Sequence, residues 1–200
     1  MTDHFKEKAQ DWDVNDLVKD ISIGIGSAIH DNVVLDNSMH VMDFGAGTGL
    51  VARHIVDKVG RVTAIDVSEA MLERLKAKEE LKGKVDTLCQ NIIEQPVDTK
   101  FDLIVSAMAM HHVENTDKLI CSFAEHLKPG ARVALADLDT EDGSFHPEDA
   151  QGVYHSGFDR GDFLELLEKH GFQDIRFVTA HIAHKGEKSY PIFLALATKV

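Results

Sequence analysis

The 200 residues read as one α/β domain, a parallel sheet with helices packed on both of its faces. Strand-like and helix-like periods alternate through five strands between His40 and Asp137, and connections of this length run as right-handed crossovers. The stretch Phe101 to Ala107 is almost continuously apolar, as expected of a strand covered on both sides.

A helix is expected from about Val14 to Ile29, because Val14, Leu17, Val18, Ile21, Ile25, Ala28 and Ile29 share one face; Gly24 and Gly26 weaken it. His40 to Phe44 is a buried strand, followed by a glycine turn. A helix from about Gly49 to Val59 comes next, with Leu50, Val51, Ile55, Val56 and Val59 inward. Arg61 to Asp66 forms the second strand, and Ser68 caps a helix striped by Met71, Leu72 and Leu75. Val85 to Cys89 and Phe101 to Ala107 are strands three and four. A helix from about Asp117 to Leu127 is stopped by Lys128-Pro129-Gly130 before the strand Ala131 to Asp137. Thr140 to Phe158 is a long polar loop inserted beside the sheet, and long loops in compact domains are usually functional. Asp159 caps a helix through His170, ended by Gly171. Phe172 to Ala183 and Tyr190 to Lys199 form an antiparallel hairpin, with Pro191 expected at the start of its strand.

Composition narrows the function. The longest nearly apolar run, Leu103 to Met110, is broken by Ser106 and falls far short of the roughly 20 residues a membrane span needs. The first twenty residues show neither a secretory nor a transit pattern. A formal charge of −13 repels phosphate backbones, so nucleic acid is a poor partner and cationic ligands are favoured. Cys89 and Cys121 make no disulfide framework and no thiolate metal site, which fits a reducing, cytoplasmic compartment.

Asp43-Phe44-Gly45-Ala46-Gly47-Thr48-Gly49 closes the first strand and opens a helix, where glycines let backbone amides approach a ligand. Asp66 lies 21 residues after Gly45, at the end of the second strand, placed to accept hydrogen bonds from both ribose hydroxyls. The dinucleotide fingerprint G-x-G-x-x-G is not met, because the third glycine comes one residue early and Leu50 holds its position. Asp43 faces an ammonium favourably and a diphosphate unfavourably, which suits a ligand with a ribose, an amino acid and no phosphates. S-adenosylmethionine has those parts.

On these residues the sequence resembles the class I S-adenosylmethionine-dependent methyltransferase family, in particular its small-molecule branch of quinone-biosynthesis type. The resemblance rests on Val41 to Gly49, Ala64-Ile65-Asp66-Val67-Ser68, Phe101-Asp102-Leu103-Ile104-Val105-Ser106 and Leu127-Lys128-Pro129-Gly130-Ala131. It implies a Rossmann-like doubly wound sheet of seven strands, order 3-2-1-4-5-7-6, with only the seventh strand antiparallel. It further implies a single domain over 1–200, with an N-terminal helical lid over 1–30 and a substrate-side insertion over 140–158. Carried over by position, Asp43, Gly45 and Gly47 meet the methionine moiety and Asp66 the ribose. Val67 and Met71 pack on adenine, and Asn91 and Ile92 stand where the family often has an acidic partner for the adenine amine. Ala107 and Met108 line the cofactor at the end of the fourth strand. Trp12 belongs to the lid, either excluding water or anchoring the helix. The implied reaction is direct displacement of the methyl group onto a small-molecule acceptor, releasing S-adenosylhomocysteine.

His111, leaving the fourth strand, and His155, in the inserted loop, are the candidate general bases if the acceptor is an oxygen or an amine. Neighbouring helical side chains point about 100° apart, so His111 and His112 are not assigned to a metal. His146, His181 and His184 read as surface. An NAD(P)-dependent oxidoreductase of Rossmann type and a non-catalytic S-adenosylmethionine-binding partner subunit are the alternatives. No motif assigns an oligomeric state.

Overall fold

Seven strands form one sheet in the order 3-2-1-4-5-7-6, as the resemblance implies. The computed structural model describes residue 3 and residues 5–200; residues 1, 2 and 4 of the expected lid segment lie outside the described residues. The strands are β1 (His40–Phe44), β2 (Arg61–Asp66), β3 (Val85–Cys89), β4 (Phe101–Ala107), β5 (Leu127–Leu138), β6 (Phe172–Lys185) and β7 (Lys188–Lys199). The first five pair in parallel, and β7 runs antiparallel between β5 and β6. Alternate residues of each strand enter opposite cores. Val41, Val62, Leu103 and Ala134 pack under α1 (Asp16–Asn32), α2 (Ala52–Ile55) and α3 (Glu69–Lys76). Met42, Ile65, Ile104 and Val133 pack under α4 (Thr116–His126) and α5 (Arg160–Lys169).

Helix α1 starts later than its periodicity suggests. Asn15 caps it, accepting from the amides of Leu17 and Val18, and Val14 lies outside it, exposed, in a 3₁₀ turn over Trp12–Val14. Gly24 and Gly26 stay inside the helix, although each costs about 0.5–1 kcal/mol relative to alanine. Packing explains them. A Cβ at Gly24 would lie 2.6 Å from the His181 ring, and one at Gly26 would lie 2.5 Å from the His54 ring.

The expected helix from Gly49 to Val59 is instead one short α turn, Ala52–Ile55, followed by a 3₁₀ turn, Val56–Lys58. Its periodic positions Leu50, Val51, Ile55, Val56 and Val59 are buried as expected. The β-branched Val51, Ile55 and Val56 favour no long helix there. Strand β5 begins at Leu127, so Lys128-Pro129-Gly130 loops out within it, and regular pairing resumes at Leu103 with Arg132. Pro191 sits inside β7 instead of at its start. Asp139 donates its N–H to Pro191 O (3.0 Å), just beyond the last β5–β7 pair, Leu138 with Ile192.

The capped helix after Ser68 is as expected, with Met71, Leu72 and Leu75 buried. Asp159 caps α5 in the same way, and Gly171 follows at φ 77°. Residues 140–158 form an irregular loop closed at its base by a bidentate Arg160–Asp139 pair, with both bonds at 2.7 Å. Among the described residues no helix is long and apolar enough to cross a membrane.

Candidate active site

The turn after β1 lies where the connections from β1 and β4 depart in opposite directions, the place where open parallel sheets take ligands. Gly45 and Ala46 donate their amides to Ile65 O at 2.8 and 3.2 Å, which fastens the turn to β2. Gly45, Gly47 and Gly49 all have positive φ, but for different reasons. A Cβ at Gly45 would lie 2.3 Å from Ala109 Cβ, and one at Gly49 would lie 2.8 Å from Leu75 and Leu81. A Cβ at Gly47 would meet nothing within 4 Å. Only Gly47 turns its backbone toward open space.

Two carboxylates flank this turn. Asp43, at the end of β1, is 1 % exposed, and its Oδ2 has no hydrogen-bond partner. Burial, with the like charge of Asp66 added to it, pushes the Asp43 carboxyl up to about 7; the Ala52 amide pulls weakly the other way. Asp66, at the end of β2, accepts from Gly47 N and Ser68 N, both at 2.8 Å. Burial raises its pKa against these amides, and Asp3 adds further negative charge. Each Asp66 oxygen keeps a second lone pair for an outside donor. The crevice therefore holds a surplus of poorly compensated negative charge.

The N-terminal segment lies across this mouth. Ser68 donates its hydroxyl to Asp3 (2.8 Å), Thr48 to Asp13 (2.5 Å), Lys78 pairs with Asp13 (2.8 Å), and Arg74 donates to Gln10 O (2.8 Å). Trp12 meets Phe5 edge to face at 5.9 Å, and Phe5 in turn meets the His112 ring at 5.0 Å. The aromatic link from the N-terminal segment to the site thus runs through Phe5, which no pattern in the sequence marks.

Of the residues expected to pack on adenine, Val67 is exposed and Met71 is almost wholly covered. Asn91 spends its side-chain oxygen locally, accepting from Ile93 N at 3.1 Å, beside buried Ile92. At the end of β4, Ala107 is half-buried and Met108 holds φ 55°, a strained conformation for a side chain with a Cβ. Met108 N donates to Ala136 O at 2.9 Å, which ties this bend to β5.

Beyond Met108 the chain makes one 3₁₀ turn, Met110–His112, organised by Asp137. Asp137 is fully buried at the end of β5. Its Oδ2 accepts from Met110 N (3.0 Å) and His111 N (3.2 Å), and its Oδ1 accepts from Leu138 N (2.8 Å) and His111 Nδ1 (2.6 Å). A lone acidic residue ending an otherwise apolar strand was the signal for it.

His146, expected at the surface, is half-buried with its Nε2 3.1 Å from His111 Nε2. The polar loop folds back because Phe145 packs on Tyr190 at 5.2 Å and the Phe145 amide donates to Glu141 at 3.0 Å. Desolvation, reinforced by His111, drives His112 down to about 3 and His146 down to about 4, so both rings are neutral near neutral pH. The His155 ring is not part of this group. It donates to Val113 O (3.0 Å) and packs on Phe158, while Tyr154 N bonds His111 O (3.0 Å) and holds the loop against the turn.

Residues 41–130 match the family model described as a methyltransferase domain. The chain is 29% identical over 149 residues to an uncharacterized methyltransferase of Schizosaccharomyces pombe, covering 66% of this chain and 52% of that one. It is 35% identical over 107 residues to a ubiquinone/menaquinone biosynthesis C-methyltransferase of Psychromonas ingrahamii, covering 50% and 43%. The chain spans about half the length of these curated relatives. Its fold superposes on Haemonchus contortus phosphoethanolamine N-methyltransferase 2, solved in complex with S-adenosyl-L-methionine, with a TM-score of 0.74 at 18% identity; the match covers 96% of this chain and 56% of that one. The ordered motifs, the sheet order and these similarities agree in likening residues 41–130 to a methyltransferase domain.

Proposed function

We propose that this protein transfers a methyl group from S-adenosylmethionine to a small organic acceptor by direct displacement. The observation that carries the reading is the pair Asp43 and Asp66 around Gly47, with a buried Asp43 oxygen left without a partner. A ligand ammonium would satisfy that oxygen, and ribose hydroxyls would use the spare lone pairs of Asp66. The Gly47 backbone leaves room for the methionine portion. A diphosphate would meet the negative charges of Asp43, Asp66 and Asp3, which weighs against a dinucleotide-dependent oxidoreductase.

When bound, S-adenosylmethionine supplies an electrophilic methyl on a sulfonium and leaves as the neutral thioether S-adenosylhomocysteine. The chain's own contribution is to align the acceptor and exclude water. Val67, Met71, Asn91 and Ile92 are assigned to the adenine side, and Ala107 and Met108 to the cofactor wall. Trp12 and Phe5 belong to the covering segment. His111 is the assigned proton acceptor for an oxygen or amine nucleophile. Its Nδ1–H is fixed on Asp137, which leaves the lone pair on Nε2. His155 is assigned to bracing the turn that carries His111, in place of a direct base role. The two free cysteines accord with a cytoplasmic location. The test is release of S-adenosylhomocysteine by the purified full chain given S-adenosylmethionine and pools of phenols, thiols and amines. One productive pool supports the reading; release at the acceptor-free rate from every pool overturns it.

A further inference from the structure

We infer that His111, His112 and His146 form a site for one divalent transition-metal ion of the zinc class, at the carboxyl ends of β4 and β5. One nitrogen from each ring lies within 4.8 Å of the other two. Three Zn–N bonds of about 2.0–2.1 Å in tetrahedral array need nitrogens roughly 3.3 Å apart, close to the 3.1 Å already present between His111 and His146.

The surrounding hydrogen bonds are those a metal centre requires. His111 Nδ1–H is fixed on the Asp137 carboxylate at 2.6 Å, and His112 Nδ1–H on Gly152 O at 2.7 Å. A carbonyl and a carboxylate can only accept, so both rings present Nε2 lone pairs inward. Ligating histidines characteristically carry such outer partners, which fix ring orientation and tautomer. His146 lies on the irregular loop, so small side-chain rotations bring its nitrogen to bonding distance. Without an ion its Nε2–H donates to His111; ligation through Nε2 would move that proton to Nδ1 and leave the ring neutral.

The adjacent pair is usable because its ring centroids lie 4.1 Å apart. Three neutral nitrogens select zinc-like ions over magnesium or calcium, and three protein ligands leave one open position. If the methyl-transfer reading holds, that position receives the acceptor's oxygen or sulfur. A bound ion would then take the His111 Nε2 lone pair and, in place of His111, favour the ionised acceptor, whose proton leaves to solvent, so that His111 is the proton acceptor in the metal-free chain alone. This last step rests on that reading; the site itself does not.

The full chain, stripped with a chelator, is titrated with zinc alone and separately with cobalt(II). One zinc per chain is expected, with affinity falling at least tenfold in His112→Ala and in His146→Ala, and unchanged in His184→Ala. Cobalt in the wild-type chain is expected to give the intense visible bands of four-coordination, a readout that needs no variant. Zinc binding no stronger than in a His111/His112/His146 triple-alanine chain, or six-coordinate cobalt, overturns the inference. So do histidine variants of undiminished affinity. S-adenosylhomocysteine titrated into the metal-free chain separates the two proposals. Its binding without zinc binding sinks the metal site alone, and zinc binding without it sinks the methyl-transfer reading alone.

Discussion

Asp43→Asn should stabilise the protein and cripple it at once. The carboxyl, ordinarily at 3.8, stands at about 7 in the fold, so the folded chain holds this proton more tightly than the unfolded chain does. Its contribution is therefore complete below pH about 4 and is lost as pH rises through 7. The accumulated cost is about 4 kcal/mol at pH 8 and about 1–2 kcal/mol at pH 5. An asparagine escapes that cost but adds an unpaired buried amide worth about 1–3 kcal/mol at every pH. The diagnostic is the difference between the two pH values. The variant's advantage over wild type should grow by about 3 kcal/mol from pH 5 to pH 8, or about 6–12 °C in Tm for a chain of this size. Affinity should move the opposite way. Between pH 6 and 7.5 the ionised fraction of Asp43 rises from about a tenth to about three quarters, while the ligand's α-ammonium, beside its own carboxylate, stays charged. Wild-type affinity for S-adenosylhomocysteine should rise about eightfold over that interval, and the variant's should not rise. Thermal scans at pH 5 and 8 with calorimetry at pH 6 and 7.5 read both. An equal Tm gap at the two pH values, or wild-type affinity flat with pH, refutes the placement of a strained charge under the turn.

Asp66→Ala removes two charge-assisted hydrogen bonds to ribose, each worth about 1.5–3 kcal/mol, so calorimetry should show cofactor affinity down at least tenfold. Gly47→Ala should lower Tm by only a few degrees, the cost of a Cβ at φ 53° where that Cβ meets nothing, while weakening cofactor binding; Gly45→Ala should lower Tm sharply, because its Cβ also strikes Ala109. His111→Ala should lower turnover more than S-adenosylhomocysteine affinity, and equal losses would make the ring a wall. Asp137→Ala leaves three backbone amides and one ring N–H without their acceptor, so it should cost at least about 3 kcal/mol by chemical denaturation.

The sheet was legible because its signals are local. Continuous apolarity from Phe101, the turn after Asp43 and the spacing to Asp66 each report a position in the β-α-β repeat, and together they locate one side of the site. The truncated helix after Gly49 shows the limit: periodicity identified the buried residues Leu50, Ile55 and Val59 but not the backbone form they adopt. The histidine group was hidden for a different reason. His146 lies 35 residues from His111, and long-range contacts such as Phe145 packing on Tyr190 and the Asp139–Arg160 clamp bring them together. Helical spacing separates the His111 and His112 side chains, and only their rotamers in the folded chain bring the ring centroids to 4.1 Å, which no local pattern reports. Phe5 escaped notice because the covering segment contacts the site through tertiary packing alone.

Whether the crevice between β1 and β2 takes an adenosyl amino acid is read most directly by calorimetric titration of the purified chain with S-adenosylhomocysteine, beside NADH. Saturable binding of one S-adenosylhomocysteine per chain, weakened at least tenfold in Asp66→Ala and matched by no response to NADH, is the predicted result. No heat with S-adenosylhomocysteine, or a response to NADH in its place, would contradict it.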